Sequence, residues 1–381
     1  MTAAPIYLDH NATTPVHPDV VAALLPFLGE RFGNPSSIHW AGRAVTGAVE
    51  EAREQVARLV GCEPGEVVFT ASGTEADNMA LKGVVSALRG RGNHIITTRV
   101  EHPAVTNTLL ALEREGCAVT WLEVDGDGLL DPAQVEDAIT DRTILISVMY
   151  ANNETGVLFP VREIGEIALR RKVSFHCDAV QAAGKVPLDF RGSGMGLLAL
   201  SGHKLQAPKG IGALVVRRGV KCHPLLHGGS QERNRRAGTE NVAGIVAFGK
   251  ACEIARTAMA DGMLRLRSLR DRLEEGILAL IPGAAVNGHR EYRLPTTTNI
   301  SFQGIDAHSL LMALDLEGVA ASSGAACSSG TVRFSPVLAA MGRSPEAARG
   351  SVRFSLGRGT TAGEIERVLV LLPRLVARLR R

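Results

Sequence analysis

One stretch decides the fold of this chain: Leu197-Leu198-Ala199-Leu200-Ser201-Gly202-His203-Lys204. An apolar run that ends abruptly in small and polar residues is typical of a buried strand that delivers a side chain to a site. The last residue is a lysine, and burying an unpaired ammonium is so costly that burial tends to leave the amine neutral. A neutral amine is what Schiff-base chemistry requires. The alternative is a surface lysine at the start of a loop, and other stretches of the chain decide against it.

A second predicted strand ends on an acid. Residues 173–178 alternate in polarity and finish on Asp178, and Ala179-Val180-Gln181 follow. A pyridoxal phosphate ring held by a lysine needs a protonated pyridine nitrogen, and an aspartate beside that nitrogen is the usual means. Asp178 and Lys204 fit these two roles. An aspartate at a strand end is otherwise a turn residue or a helix cap.

A strand, a tight turn and a helix start follow one another at residues 66–88. The turn is Ala71-Ser72-Gly73-Thr74, and the helix is predicted from Glu75 onward. Free backbone N–H groups at a helix start suit a phosphate, and the hydroxyls of Ser72 and Thr74 can assist. The turn is not a P-loop, because no Gly-Lys-Ser/Thr follows it. An ordinary capped helix is the alternative.

The predicted strands mostly alternate with helical segments, which indicates an α/β fold with a mainly parallel sheet covered on both faces. Besides residues 66–70, these strands are His94–Thr98, Ala118–Val124, Thr143–Met149, Val173–Cys177, Leu197–Leu200 and Gly212–Val216. Ligands of such sheets lie outside the carboxyl ends of the strands. The polar residues there are Glu101, His102, Asn152, Asn153, Glu154, Asp178, Gln181, Ser201, His203 and Lys204. His102 is suited to stacking on a cofactor or to moving protons, although a lone histidine is often structural.

Composition sets outer limits on function. The 381 residues are 45% hydrophobic and 21% charged, which is ordinary for a globular protein of one or two domains. The net charge of +3 gives no reason to expect nucleic acid or a membrane surface as a partner. The N-terminus shows no basic segment followed by an apolar run, and no uncharged apolar stretch reaches membrane-spanning length. We therefore expect a cytoplasmic protein.

The cysteines argue against a zinc site and against a disulfide framework, because none has Cys-x-x-Cys spacing. They are Cys62, Cys117, Cys177, Cys222, Cys252 and Cys327. Most are expected to be small buried hydrophobes. Cys327 differs, since residues 320–330 are nearly all small and carry no charge, which predicts a mobile loop. A cysteine in an accessible polar loop is placed to react.

The pattern changes in the last third of the chain. From about Gly249 to Leu280 the sequence predicts one long helix, with a domain boundary near Ala258. The stretch 228–240 is charged and glycine-rich, and a loop of that length is often functional. Near the end, the predicted strand Val352–Ser355 carries Arg353, which is suited to a bidentate carboxylate clamp.

With these residues assembled, the chain resembles the cysteine desulfurases of the NifS/IscS type, class V aminotransferase-like, pyridoxal-phosphate-dependent enzymes of fold type I. The resemblance is collinear over essentially the whole chain. Its motifs are Asp9-His10-Asn11-Ala12-Thr13-Thr14-Pro15, Gly33-Asn34-Pro35-Ser36-Ser37, Ser72-Gly73-Thr74-Glu75, Glu101-His102-Pro103, Ala151-Asn152-Asn153-Glu154-Thr155-Gly156, Asp178-Ala179-Val180-Gln181, Ser201-Gly202-His203-Lys204, Arg236-Ala237-Gly238-Thr239-Glu240-Asn241, Ser322-Ser323-Gly324-Ala325-Ala326-Cys327 and Val352-Arg353-Phe354-Ser355. Residues 147–156 look closest to the nitrogen-fixation branch.

The resemblance implies a fold, an activity and partners. Residues 14–257 would form a large cofactor-binding domain with a mainly parallel mixed sheet flanked by helices. Residues 1–13 with 258–381 would form a smaller α+β domain carrying the cysteine loop. The enzyme would convert L-cysteine to L-alanine and pass the sulfur to its own cysteine as a persulfide, supplying iron-sulfur cluster assembly through a scaffold protein. It would act as a homodimer.

The resemblance also implies roles for single residues. The catalytic residues would be Cys327 as the sulfur acceptor, Lys204 as the Schiff-base lysine and His102 over the cofactor ring. The cofactor-binding residues would be Gly73, Thr74, His102, Asn153, Asp178 at the pyridine nitrogen, Gln181 at the ring hydroxyl, Ser201, His203, Lys204 and, from the other subunit, Thr239 at the phosphate. The substrate-binding residues would be Asn34, Asn153 and Arg353. No metal is implied.

Two positions depart from the pattern: Ala325 stands where a serine is common, and Gln206 where a histidine or another polar residue is often found. A selenocysteine lyase on the same scaffold and a non-catalytic sulfur carrier or adaptor are the alternative functions. The presence of the full set of cofactor-binding residues argues against the non-catalytic carrier or adaptor.

Overall fold

A computed structural model describes residues 4–324 and 335–380 of the chain. Its strands are β1 (Ile6–Tyr7), β2 (Val67–Thr70), β3 (His94–Thr98), β4 (Ala118–Leu122), β5 (Thr143–Ser147), β6 (Ser174–Asp178), β7 (Leu197–Ser201), β8 (Gly212–Val216), β9 (Ala284–Val286), β10 (Thr297–Phe302), β11 (Val319–Ala320) and β12 (Ser351–Ser355). Its α-helices are α1 (Pro18–Leu24), α2 (Trp40–Val60), α3 (Gly73–Leu88), α4 (Pro103–Arg114), α5 (Pro132–Asp137), α6 (Val161–Arg171), α7 (Gln231–Asn234), α8 (Val242–Thr257), α9 (Met259–Leu280), α10 (Ala307–Leu316), α11 (Pro336–Ala340), α12 (Pro345–Arg349) and α13 (Ala362–Leu379).

The central sheet confirms the predicted α/β fold with a mainly parallel mixed sheet. Within the described residues it has seven strands in the order β2-β8-β7-β6-β5-β3-β4. Strands β7, β6, β5, β3 and β4 are mutually parallel, whereas β8 runs antiparallel to both β7 and β2. Only residues 202–211 connect β7 to β8, and a parallel connection needs a longer crossover that usually contains a helix. A short connection therefore reverses the chain.

Strand β7 is buried on both faces, which explains its continuous apolar run. Leu197 and Ala199 pack in the core cluster that contains the inner face of α3, while Leu198 and Leu200 pack in the cluster on the other face. All five residues of β7 are buried. Helix layers on both faces therefore hold the end of β7, and the residues after it, at a fixed place on the sheet edge.

A second core lies beside a smaller antiparallel sheet of order β12-β10-β9. Helices α9, α10 and α13 contribute apolar residues to this core. Strand β1 pairs in parallel with β11, so that Ile6 and Leu8 join this core. The division into residues 14–257 and 1–13 with 258–381 stays a prediction. Val337, Leu338 and Met341, which that division assigns to the smaller domain, pack in the core of the central sheet.

Three expectations about these elements need correction. The single long helix is wrong, because α8 ends at Thr257 and α9 begins at Met259. The break lets α8 pack in the core of the central sheet while the apolar stripe of α9 packs in the second core. The strands predicted to reach residues 124 and 149 end at Leu122 and Ser147, where their pairing with neighbouring strands ends. Of the five described cysteines, all free thiols, only Cys177 and Cys252 are buried.

Within residues 4–324 and 335–380, none of the helices combines the length and apolarity that crossing a membrane requires.

Candidate active site

A cavity of about 400 Å³ opens at the carboxyl edge of the central sheet. Ten of the residues singled out from the sequence line it: Gly73, Thr74, His102, Asn153, Asp178, Gln181, Ser201, His203, Lys204 and Arg353. They come from strand ends and loops that are up to 280 positions apart in the chain, from Gly73 to Arg353. The sheet therefore gathers one polar site from distant segments, as open α/β sheets do.

Two of the predicted site residues, Asn34 and Thr239, do not line this cavity. Asn34 is exposed, and its side-chain oxygen accepts a hydrogen bond from the backbone N–H of Ser36. Thr239 is exposed and lines a separate cavity of about 180 Å³ with Arg236. Cys327 lies outside the described residues, as does Ala325.

Lys204 ends a short 3₁₀ turn, Gly202–Lys204, directly after β7. Its Nζ atom donates to the backbone carbonyl oxygens of Asn11, at 2.5 Å, and Ala12, at 2.7 Å. Burial lowers the pKa of Lys204 to about 8, with help from the Arg353 guanidinium, while Asp178 and Asp9 oppose this shift. The lysine is thus held in place and reaches its neutral form far more easily than an exposed lysine.

Asp178 and His102 stand beside this lysine. Asp178 is buried at the end of β6, and its Oδ1 atom accepts a hydrogen bond from the backbone N–H of Val180 at 2.9 Å. Burial raises the pKa of Asp178, whereas His102 and Lys204 act to lower it. His102 caps α4: its Nδ1 atom accepts from the N–H of Ala104 at 3.1 Å, which assigns the ring proton to Nε2. Desolvation lowers the pKa of His102, so the ring is neutral near pH 7.

The start of α3 forms one side of the cavity. Ser72 is the N-cap, and its Oγ atom accepts from the N–H of Glu75 at 3.1 Å. The Ser72 hydroxyl caps the helix as an acceptor, and its O–H stays available as a donor at the cavity, which Ser72 also lines. A Cβ atom on Gly73 would lie 2.8 Å from Val180 Cγ2 and 3.2 Å from the Cβ of Ser201, so only glycine fits between these neighbours.

The residues around Lys204 include a histidine and a departure from the family pattern. His203 Nδ1 lies 3.1 Å from the Thr13 hydroxyl, and burial followed by Lys204 and Lys209 lowers the His203 pKa to about 4. Gln206 has a left-handed backbone with φ of 65°, and its N–H donates to the hydroxyl of Thr14. Its backbone therefore ties the loop after the lysine to the N-terminal segment.

Arg353 reaches the cavity from β12. Its guanidinium donates to the carboxylate of Asp9 at 2.6 Å and to the backbone carbonyl of Asn153 at 3.0 Å. The side chain is almost fully buried, and its Nε atom has no hydrogen-bond partner among the described residues. A buried guanidinium with an unused donor at a cavity wall is suited to an anionic ligand.

Two buried acids lie near the site, of which sequence reasoning placed Glu101 at the sheet edge and missed Asp77. Asp77 on α3 lines the cavity, and its Oδ1 atom lies 3.3 Å from Nε2 of the buried His176. Glu101 accepts from the Thr98 hydroxyl and from the N–H of Met149, and burial raises its pKa to about 8. The signal for Asp77 was an acid on the otherwise apolar face of α3 that carries Ala76 and Ala80.

Sequence reasoning also missed Asn11 and Lys185. The backbone carbonyl of Asn11 accepts from Nε2 of Gln181 as well as from Lys204, and its side chain donates to the carbonyl of Asn153 and to the hydroxyl of Thr297. Lys185 donates to both Gln181 and Asn11. The one available signal was a lysine within the small, apolar stretch 182–186.

Comparison with known proteins places this site in a family. The aminotransferase class-V family matches residues 6–368. Cysteine desulfurase 2 of Trichormus variabilis is 53% identical over 375 residues, covering 98% of this chain and 94% of that protein. The chain belongs to the cysteine desulfurase family of class-V aminotransferases. This family depends on pyridoxal phosphate, acts on cysteine and passes sulfur to acceptor proteins.

Two more members of the cysteine desulfurase family extend the comparison. Cysteine desulfurase IscS of Methanosarcina thermophila is 49% identical, covering 98% of this chain and 93% of that protein. The solved structure of a NifS-like protein superposes with a TM-score of 0.93 at 35% identity, covering 98% of this chain and all of the other. The family resemblance seen in the sequence is therefore confirmed along the whole chain.

Proposed function

We propose that this protein is a pyridoxal-phosphate-dependent cysteine desulfurase that converts L-cysteine to L-alanine and transfers the sulfur to Cys327 as a persulfide. The observation that carries the proposal is the juxtaposition of Lys204, Asp178 and His102 in one cavity of a chain that is about half identical to cysteine desulfurases. Burial shifts the pKa of each of the three away from its ordinary value, as is common at functional sites.

The residues fit the cofactor. Lys204 offers an amine that is easily neutral, and Asp178 offers a buried carboxyl that a protonated ring nitrogen would hold as its anion. The 16-residue helix α3 presents its N-terminus to the cavity, with the close approach that Gly73 permits. When bound, pyridoxal phosphate supplies an electron sink for charge that develops at the α-carbon of an amino acid.

We assign the remaining cofactor contacts as follows. Gln181 would face the ring hydroxyl, and the neutral ring of His102 would lie over the cofactor ring. The phosphate would be held by Thr74, Ser201 and His203, with Thr239 of the partner subunit adding a hydroxyl. Asn153 would complete the wall on the substrate side. The support is that all of these except Thr239 line one cavity.

Arg353, Asn153 and Asn34 would bind the substrate carboxylate. The salt bridge with Asp9 fixes the plane of the Arg353 guanidinium. The directions of its remaining N–H donors are therefore fixed as well. The Lys204 amine would move the proton at the substrate α-carbon. Nδ1 of His102 is occupied as a helix cap, which leaves the Nε2–H to donate to the sulfur of the substrate.

The sulfur transfer balances without an oxidant. A bond forms between the sulfur of Cys327 and the substrate sulfur, and the bond between that sulfur and the substrate β-carbon breaks. A proton replaces sulfur at the β-carbon, so L-cysteine and one enzyme thiol give L-alanine and one enzyme persulfide. No net electron is gained or lost.

A homodimer is part of this proposal. Thr239 lies outside the cavity of its own chain, as does Asn34, and a second copy would bring such residues to a partner's site. An exposed apolar surface of Leu28, Phe32, Ile38 and Trp40 supports an association between copies, since their exposed fractions are 67%, 71%, 92% and 69%. An iron-sulfur scaffold protein would accept the sulfur in the cytoplasm, in a pathway of the nitrogen-fixation type.

Side-by-side turnover of the two amino acids tests the proposal. The purified protein loaded with pyridoxal phosphate should release alanine from L-cysteine in the presence of a thiol reductant. Alanine from L-selenocysteine but not from L-cysteine would make the protein a selenocysteine lyase. Alanine from neither, in protein that lacks a visible cofactor band, would favour a sulfur carrier or adaptor.

A further inference from the structure

Lys185 lies directly behind the cavity wall. Its Nζ atom is 2.8 Å from Oε1 of Gln181 and 3.2 Å from Oδ1 of Asn11. Gln181 and Lys185 are four positions apart in a helical turn, where side chains at this spacing meet. The turn reverses at Gly184, whose φ is 70° and where a Cβ atom would lie 2.4 Å from Leu205, so glycine is required to bring the lysine inward.

Lys185 is the donor in both of these hydrogen bonds. An ammonium group has three donors and no acceptor, whereas a side-chain amide carries an acceptor oxygen at one end and a donor nitrogen at the other. In agreement with this, the amide atom that faces Lys185 is oxygen in both Gln181 and Asn11. This forces the nitrogen of Gln181 to the opposite side, where Nε2 donates to the backbone carbonyl of Asn11 at 2.9 Å. The nitrogen of Asn11 likewise turns to the carbonyl of Asn153.

In the part of the chain that the structure describes, Lys185 makes no ion pair that would explain it as an ordinary structural lysine. Among residues 4–324 and 335–380 no carboxylate lies within salt-bridge distance of its ammonium. Burial, followed by the charges of Lys204 and Arg353, lowers its pKa to about 7. Burying a cation beside two other cations, with amide oxygens as its partners, costs free energy. Lys185 does not offset this cost with a charge pair that stabilises the fold.

We propose that Lys185 is a positioning residue of the cofactor site, which fixes the side-chain amide of Gln181 so that its NH₂ group, and not its oxygen, faces the cavity side. The proposal rests on the proposed function, in which Gln181 faces the ring hydroxyl of pyridoxal phosphate. An oxygen of the cofactor needs a donor at that point. Without Lys185, only the hydrogen bond from Nε2 to the Asn11 carbonyl holds the Gln181 amide in this orientation, and an amide that turns over presents its acceptor, which repels an oxygen.

The first test measures cofactor affinity rather than turnover. Apoprotein of the wild type and of Lys185→Met, Lys185→Gln and Lys185→Arg is titrated with pyridoxal phosphate, and Kd and the position of the visible band are recorded at one pH. Lys185→Met and Lys185→Gln should raise Kd by roughly 10- to 100-fold, the value of a hydrogen bond to a charged group. Lys185→Arg should stay near the wild type, because arginine also only donates. Lys185→Gln should not stay near the wild-type Kd, because its amide can turn either a donor or an acceptor toward Gln181.

A double-mutant cycle then separates positioning from a general effect on the fold. In a Gln181→Leu background, Lys185→Met should change Kd by less than about twofold, because coupled residues are not additive. An equal loss of affinity with and without Gln181, or no loss in Lys185→Met, would overturn the proposal. If Lys185→Met does not fold in thermal melts of the apoprotein, Lys185→Gln replaces it in the same cycle. Failure of the wild type itself to bind pyridoxal phosphate would instead overturn the proposed function.

Discussion

The ammonium of Lys204 lies 2.7 Å from the backbone carbonyl oxygen of Ala12, so a segment near the N-terminus holds the lysine that ends β7. Burial and Arg353 lower its pKa from 10.5 to about 8. A lowered pKa in a base favours the neutral amine, so covalent capture of pyridoxal phosphate by the apoprotein should speed up as pH rises and level off above about pH 8. Stopped-flow absorbance at a series of pH values measures this.

Arg353→Met removes one of the cations that lower the pKa of Lys204, so the midpoint of that pH profile should move to higher pH. Arg162→Met, on the exposed face of α6, is the matched control and should leave the midpoint in place. A midpoint near 10 in the wild type would show that the lysine is not held in the environment described here.

Lys204→Ala should abolish covalent retention of the cofactor. After borohydride reduction and dialysis, mass spectrometry should find the pyridoxyl adduct on the Lys204 peptide of the wild type and on no peptide of the variant. Lys209→Ala, which changes an exposed lysine in the following loop, should retain the adduct on Lys204. An adduct in Lys204→Ala, on Lys185 for instance, would reassign the lysine that binds the cofactor.

Asp178→Ala should weaken cofactor binding strongly. Removing one partner of a buried charge pair costs about 3 to 5 kcal/mol, which corresponds to a Kd raised roughly a hundredfold to several thousandfold. Equilibrium dialysis of pyridoxal phosphate measures the loss. Asp189→Asn, in an exposed turn, should leave Kd unchanged. Normal affinity in Asp178→Ala would mean that another group, such as Asp77, faces the ring nitrogen.

Cys327→Ser should separate binding from sulfur transfer. The variant should still bind L-cysteine, seen as a change in the visible spectrum of the loaded protein, because no step before sulfur transfer uses this thiol. It should form no persulfide and no alanine catalytically. Cys117→Ser, a partly exposed thiol on the edge of the central sheet, should keep full activity. Alanine release at the wild-type rate from Cys327→Ser would instead favour the lyase.

The strand ends were the part of the site that sequence could predict. An apolar run followed by small and polar residues by itself predicts Ser201 and Lys204 at the sheet edge, and the same holds for Asp178 at the end of β6. Asn11 and Lys185 could not be predicted, because their roles depend on an N-terminal segment folding back across about 170 to 190 residues of chain. The cap made by Ser72 and a contact of its hydroxyl with an anion share one sequence pattern, so the second role stays a prediction.

The position of the sulfur after a single turnover shows whether Cys327 is the sulfur acceptor. Wild-type protein loaded with pyridoxal phosphate is mixed with one equivalent of L-cysteine without reductant, and alanine is quantified while mass spectrometry maps persulfides on the peptides. We expect one persulfide on Cys327 for each alanine released. Alanine released without a persulfide on Cys327, or a persulfide confined to another cysteine, would contradict it.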